Sequence, residues 1–326
     1  MTVTIGNIAL NPPVFLAPLA GITDVPFRDL VSRFGAGLVV SEMVASQEMV
    51  QSRPSARARA ELGFERANTS VQIAGHEAHW MTECARLCED QGARIIDINM
   101  GCPAKKVTNG YSGSALMRKP DHALSLIEAV VEAVSIPVTL KMRLGWDEEQ
   151  LNAAHIARRA EAAGVQMIVV HGRTRCQFYK GKADWKAISE VKDAVTIPVI
   201  ANGDIVNTQT ARKALSASGA DGVMIGRGAQ GKPWILAEIA TDIYGTLKPI
   251  VPSENMLSEM IIGHYEDMLT FYGVELGSKC ARKHLGWYLD LFENSTWVRR
   301  QILTETEPKK VIHMLDTLSE NLELVA

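Results

Sequence analysis

The stretch "IIDINMGCPAKKVTNGYSGSALM", Ile95 to Met117, decides how the chain is read. An apolar, β-rich run ends in Asn99, Gly101, Cys102 and Pro103, then opens into a loop rich in glycine, serine and lysine. A strand that only had to be buried could stop on any turn. This one stops on a thiol held between a flexible residue and a rigid one.

Similar short runs recur on both sides: Val14–Pro18, Leu38–Ser41, Ser70–Ala74, Val138–Met142, Met167–His171, Val199–Ala201 and Gly222–Gly226. Helix-period segments lie between most of them. Glu77–Gln91 puts Trp80, Met81, Cys84, Leu87 and Cys88 on one side, and Asp121–Ala133 and Leu151–Ala163 read alike. Strand–helix alternation implies parallel strands joined by crossovers. Eight strands predict an α/β fold of the (β/α)8 barrel type, with functional groups at the strand C-termini. A doubly wound sheet is the alternative, but "APLAGITD" after the first strand does not fit its glycine-rich turn.

After Pro252 the pattern is helical only. Met256–Tyr272 repeats Leu257, Met260, Ile261, Tyr265, Met268, Leu269 and Tyr272, and Val311–Leu322 repeats Ile312, Leu315, Leu318 and Leu322. The expected division is a barrel over residues 1–250 and a small all-helical domain over 251–326. "KPIVPSEN" is the linker and Ser253 a candidate cap.

The 326 residues are 47% hydrophobic, enough for a full core. Net charge is -3, and residues 254–326 hold seven Lys/Arg against twelve Asp/Glu, so any polyanion surface must be a local patch. Five cysteines without a regular framework argue against a disulfide scaffold. Cys84 and Cys88 share a helix face, but no second Cys/His pair completes a zinc site, so no metal is expected. No charged-then-apolar leader and no run near ~18 apolar residues occurs, so a cytoplasmic protein is expected, without membrane attachment.

The predicted strands end in Gln72, Asn99, Lys141, His171 and Asn202. Each buried polar group costs on the order of 1–3 kcal/mol unless paired, so their convergence on one rim implies a polar ligand. Lys141 reads either as a lysine snorkelling to the rim or as a cation held against an electron-rich ligand. His171 reads as a satisfied core histidine or a ligand contact. "ANGDI" and "IGRGA", after strands seven and eight, read singly as tight turns and together as a phosphate site, with Arg227 as a charged donor. Cys102 alone could be a small buried hydrophobe.

The chain resembles the tRNA-dihydrouridine synthases, specifically the bacterial B-type branch, over nearly its whole length. The resemblance rests on "APLAGITDVPFR", "SEM", "VQIAG", "DINMGCPAKKVTNGYSGSALM", "KMRLGW", "HGRTR", "ANGDI" and "IGRGAQGKPW". It implies a tightly bound FMN reduced by NADPH, and tRNA as the substrate. It also implies hydride transfer from flavin N5 to C6 of a uridine and protonation of C5 by Cys102. By the same resemblance Pro18, Leu19 and Ala20 touch the flavin ring. Gln72, Lys141 and His171 hold its polar edge, and Asn202, Gly203, Asp204, Gly226 and Arg227 its ribityl and phosphate. Asn99 meets the uracil. A cysteine, ordinarily near pKa 8.5, still holds a proton at neutral pH, which suits the acid.

Lys105, Lys106 and Arg173 are candidate RNA contacts, and the loop through Gly113 a candidate lid. Lys279, Arg282 and Lys283 share one helix face that Trp287 continues, read as a solvated face or a phosphate contact remote from the rim. A monomer is the default assembly. Two rival functions remain: a flavin barrel reducing a free pyrimidine base, and a non-catalytic RNA-binding protein.

Overall fold

The computed structural model describes residues 2–63, 68–293, 295–318 and 324; Leu322, counted in the last helical pattern, lies outside them. Eight parallel strands form the barrel: β1 Val14–Leu16, β2 Leu38–Val40, β3 Thr69–Ala74, β4 Ile96–Met100, β5 Val138–Arg143, β6 Met167–His171, β7 Val199–Asn202 and β8 Gly222–Ile225. Each pairs with its neighbours, β8 with β1 as well, and the β2–β3 pairing Val39↔Thr69 completes the ring. The barrel expectation is therefore met, with strand ends within two residues of those read from the sequence.

The main barrel helices are α1 Val25–Phe34, α2 Ser46–Val50, α3 Ala78–Asp90, α4 Pro120–Ala133, α5 Ala153–Ala162, α6 Ser189–Ala194, α7 Thr208–Ser218 and α8 Ile235–Tyr244. Pro26 in the first turn of α1 and the Asp24 side chain capping Phe27 N fix where α1 starts. On α3, Met81, Cys84, Ala85 and Cys88 are buried, while Trp80 and Leu87 are only half-buried.

Strand residues alternate between two apolar layers. Leu16, Val39, Ile98, Leu140, Val170, Ala201 and Val223 pack outward against the helices. Phe15, Leu38, Met167, Ile200 and Met224 fill the barrel interior. A hairpin, Val3–Ile5 with Ile8–Leu10, adds its own buried face to that interior layer. Its strands of three residues are too short to give a periodic signal, and the sequence reading missed them.

Four helices follow: α9 Glu254–Tyr272, α10 Val274–Leu289, α11 Thr296–Thr304 and α12 Pro308–Asp316. They enclose a separate apolar cluster that includes Ile261, Tyr265, Leu285, Tyr288, Ile302 and Leu315. Ser253 stands at the N-cap position of α9, but its hydroxyl makes no capping bond. The helices meet the barrel where Tyr272 Oη donates to Asp24 Oδ2 at 3.1 Å and Phe27 stacks beside His264 and His284. Burial pushes Asp24 up to about 6 and His284 down to about 3. Among the described residues no helix is long and apolar enough to cross a membrane.

Candidate active site

A cavity of about 670 Å³ opens at the C-terminal ends of the strands. Every residue that the sequence reading gave to a flavin lines it: Pro18, Leu19 and Ala20 after β1, Gln72 on β3, Lys141 on β5, His171 on β6, then Asn202, Gly203, Asp204, Gly226 and Arg227. Asn99 and Cys102 line it too. The size suits a small-molecule ligand.

One wall is built from β3, β4 and β5, whose inward residues are polar. Gln72, Asp97 and Thr139 are side by side in register, as are Asn99 and Lys141. Gln72 Nε2 and Thr139 Oγ1 each donate to the Asp97 carboxylate at 2.7 Å. Asn99 Nδ2 donates to Gln72 Oε1 at 2.7 Å. Asn99 Oδ1 accepts the backbone N–H of Gly101 at 3.2 Å and of Cys102 at 3.0 Å. This leaves Asn99 one amide N–H for a ligand.

The Cys102 turn is gripped from three further sides. Its carbonyl accepts from Ser114 N at 3.1 Å and Ser114 Oγ at 2.8 Å. Gly113, at φ 60°, has no room for a Cβ, which would lie 2.9 Å from the same carbonyl. Arg143 Nε donates to Gly101 O at 2.8 Å. The loop read as a lid is thus bonded to the Cys102 turn, and Lys105 and Lys106 sit exposed on its short helix.

Arg143 is a residue that the sequence reading passed over. It is 1% exposed, its Nη1 donates to the carbonyls of Thr174 and Phe178 at 2.8 Å, and its guanidinium lies 5.5 Å from the Tyr179 ring. Both Arg143 and Tyr179 line the cavity. Burial lowers the guanidinium to about 10, so it stays charged. The signal was present in "KMRLGW": Arg143 is two residues from Lys141, hence on the same strand face.

Lys141 Nζ donates to Asn202 Oδ1 at 3.0 Å, and Asn202 Nδ2 donates to Met224 O at 2.8 Å. Burial lowers Lys141 to about 8, against the pull of Asp97, so the ammonium persists at pH 7. Burial, then Lys141 and three arginines, push His171 well below its ordinary range. Its Nε2 receives a bond from Arg173 at 3.3 Å, and arginine can only donate, so that nitrogen bears the lone pair.

The other wall, after β7 and β8, is different. The N–H groups of Gly203, Asp204, Gly226 and Arg227 donate to no acceptor among the described residues. Gly203, at φ 117°, passes within van der Waals reach of His171 and Ala183, leaving no room for a side chain. The result is a row of bare donors with Arg227 beside it, suited to an anion. Together with the apolar face of Pro18, Leu19 and Met43, this donor set fits a flat ring with a polar edge and a phosphate tail.

Three readings need correction. Arg173 is not an exposed RNA contact: it is 1% exposed, and its guanidinium bonds Lys180 O, Gly181 O, His171 and both Asp204 oxygens. The Asp204 carboxylate also takes Ala183 N at 2.8 Å and pairs with Arg227 at 3.4 Å; against the effect of burial these partners hold it below its usual range. The helix face of Lys279, Arg282 and Lys283 is not remote from the rim. Lys279 pairs with Glu275 at 2.8 Å, whereas Lys283 Nζ would lie 3.2 Å from a Cβ on Gly21, beside the β1 loop. Trp287 packs its backbone against Gly231.

Residues 15–323 match the family described as Dihydrouridine synthase (Dus). A protein named "Probable tRNA-dihydrouridine synthase" from Rhodobacter capsulatus is 59% identical over 316 residues, covering 97% of each chain. A protein named "tRNA-dihydrouridine synthase B" from Vibrio vulnificus is 48% identical, covering 91% of this chain and 92% of that one. Among solved structures, histamine dehydrogenase from Rhizobium sp. 4-9 aligns with a TM-score of 0.58 at 12% identity, over 81% of this chain and 50% of that one. The chain spans about half the length of that structure, and the likeness is one of fold.

Proposed function

The chain belongs to the dihydrouridine synthase family, an oxidoreductase family, and from that premise we propose that it reduces uridines in tRNA to 5,6-dihydrouridine with bound FMN and NADPH. The observation that carries the reading is the Cys102 turn. The Cys102 thiol lines the cavity, on a turn fixed by five hydrogen bonds with Asn99, Ser114 and Arg143.

When bound, the flavin supplies a hydride to C6 of the uracil. Cys102 supplies the proton to C5, so the C5=C6 bond gains one hydrogen at each carbon. Lys141 holds positive charge at the polar edge of the ring, which favours the reduced, anionic flavin. Gln72 and His171 flank the same edge. The open N–H groups of Gly203, Asp204, Gly226 and Arg227 would hold the phosphate, together with the Arg227 guanidinium. Asn99 offers its remaining amide N–H, and Arg143 its remaining donors, to the uracil. Pro18, Leu19 and Ala20 cover one face and exclude water.

A uridine in folded tRNA must leave its stack to enter. We assign residues 1–250 to catalysis and 251–326 to gripping tRNA by shape, with Lys105, Lys106 and Lys283 at the rim as phosphate contacts. The separate apolar cluster of α9–α12 supports that division. The expected location is the cytoplasm.

The test is nucleoside mass spectrometry. Purified protein, NADPH and tRNA lacking dihydrouridine should yield a uridine heavier by two hydrogens. Equal reduction of free uracil would favour the free-pyrimidine reading instead, and a colourless protein that binds tRNA without reducing it would favour the RNA-binding one.

A further inference from the structure

Asp97 is 3% exposed in the barrel interior and does not itself line the cavity. The hydrogen bonds leading from it run in one direction. The backbone N–H groups of Gly101 and Cys102 can only donate, so Asn99 must turn its oxygen to them. Its NH2 then faces Gln72, whose oxygen must accept. The Gln72 NH2 is left pointing at Asp97, where an acceptor is required. A carboxylate that only accepts meets that requirement, and the Thr139 hydroxyl supplies the second oxygen with a donor.

We propose that Asp97 is a positioning residue for Cys102: it is the terminal acceptor that sets the direction of the relay Asp97–Gln72–Asn99 and so locks the Gly101–Cys102 turn. The proposal rests on the role given to Cys102 above. Register explains why the relay can exist, since Gln72, Asp97 and Thr139 are neighbours on three adjacent strands. Burial pushes the Asp97 carboxyl up, while Gln72, Thr139 and Lys141 oppose that rise. The donor-only end of the relay requires an acceptor at the oxygen that faces Gln72.

Two substitutions at Asp97 test this. In Asp97→Asn the new amide can keep its oxygen on Gln72 and give its NH2 to the Thr139 hydroxyl, so the direction survives. In Asp97→Leu both acceptor oxygens are lost, the Gln72 NH2 has no partner, and the relay breaks. The first measurement is hydrogen–deuterium exchange of the Gly101 and Cys102 amides, which needs neither flavin nor tRNA. Asp97→Asn should keep their protection. Asp97→Leu should exchange them on the order of tenfold faster than Asp97→Asn does. Oxidation of the reduced flavin by tRNA should slow in step, with reduction by NADPH unchanged. Equal exchange in the two variants overturns the proposal.

Gln72→Glu is a further variant, should Asp97→Leu not fold. It sets a second carboxylate against Asp97, and only a shared proton restores the donor. Protection of the two amides, corrected for the intrinsic pH dependence of exchange, should rise as pH falls; a flat profile overturns the relay. If parent protein fails to reduce tRNA while the exchange pattern holds, the proposed activity falls and the relay stands. Intact tRNA reduction with an unaltered exchange pattern removes Asp97 alone.

Discussion

The two walls of the cavity use their hydrogen-bond capacity in opposite ways. On the β3–β5 side Gln72, Asp97, Asn99 and Thr139 satisfy one another and converge on the Cys102 turn. On the β7–β8 side the backbone donors of Gly203, Asp204, Gly226 and Arg227 have no protein acceptor among the described residues. A self-satisfied wall holds a reacting group in one place. A wall of open donors leaves its hydrogen-bond capacity for an anionic ligand. On the proposed function, the contrast separates the group that would do chemistry from the groups that would hold a ligand.

The largest expected effect lies behind the open wall. Arg173 binds both oxygens of Asp204 from a buried position. Arg173→Met takes the main donor from the Asp204 carboxylate, which keeps Ala183 N and Arg227, and leaves two carbonyls without their arginine; it should cost about 3–5 kcal/mol in denaturant unfolding. Unchanged stability with a flattened salt dependence of tRNA affinity would return Arg173 to the RNA surface.

Lys141 spans the two walls, bonded to Asn202 on one and close to Asp97 on the other. Lys141→Met removes the ammonium proposed to face the polar edge of the flavin. The flavin midpoint should fall by roughly 30–60 mV, the equivalent of one charged hydrogen bond, or the site should empty. Normal content at an unchanged potential would mean that Lys141 only anchors Asn202.

Away from the cavity the contrast should give way to ordinary burial. His284 sits at the junction of α10 with the barrel, among Phe27, His264 and Trp287. Its folded pKa of about 3 lies below its usual 6.5, so its share of stability is present above pH 6.5 and lost as pH falls. That loss is about 2 kcal/mol by pH 5, and His264 adds to it. Asp24 has the opposite sign: raised to about 6, it gains stability as pH falls through that value. His284→Leu should therefore shrink the fall in stability between pH 7 and pH 5 by about 2 kcal/mol. An unaltered profile in unfolding experiments would show that His284 carries no such linkage.

The smallest effect belongs to Lys279, exposed and paired with Glu275. Lys279→Ala should change stability by less than about 0.5 kcal/mol. It should lower the salt-dependence slope of tRNA affinity by less than the roughly 0.7–0.9 of a full phosphate contact. A full unit would restore the patch that the sequence suggested.

The barrel was legible because eight apolar runs alternate with helical ones, and the cavity because polar residues end those runs. Cys102 was legible from its Gly-Cys-Pro setting. Other residues were hidden for physical reasons. Asp97 and Arg143 lie within strands, and strand periodicity gives their face without saying which partners neutralise them. Arg173 reads as surface because arginines usually are; only the fold brings Asp204 beneath it. Lys279 and Lys283 share a helix face, yet what that face meets depends on how α10 lies against Gly21.

The division between the walls is read out by the two half-reactions. Cys102→Ala should keep its flavin and accept electrons from NADPH at the parental rate, while oxidation of that flavin by tRNA slows on the order of 10²–10⁴-fold. Arg227→Ala should bind flavin more weakly, by roughly tenfold or more, yet pass electrons to tRNA normally once saturated. Parental transfer to tRNA by Cys102→Ala, or impaired transfer by flavin-saturated Arg227→Ala, would contradict the division.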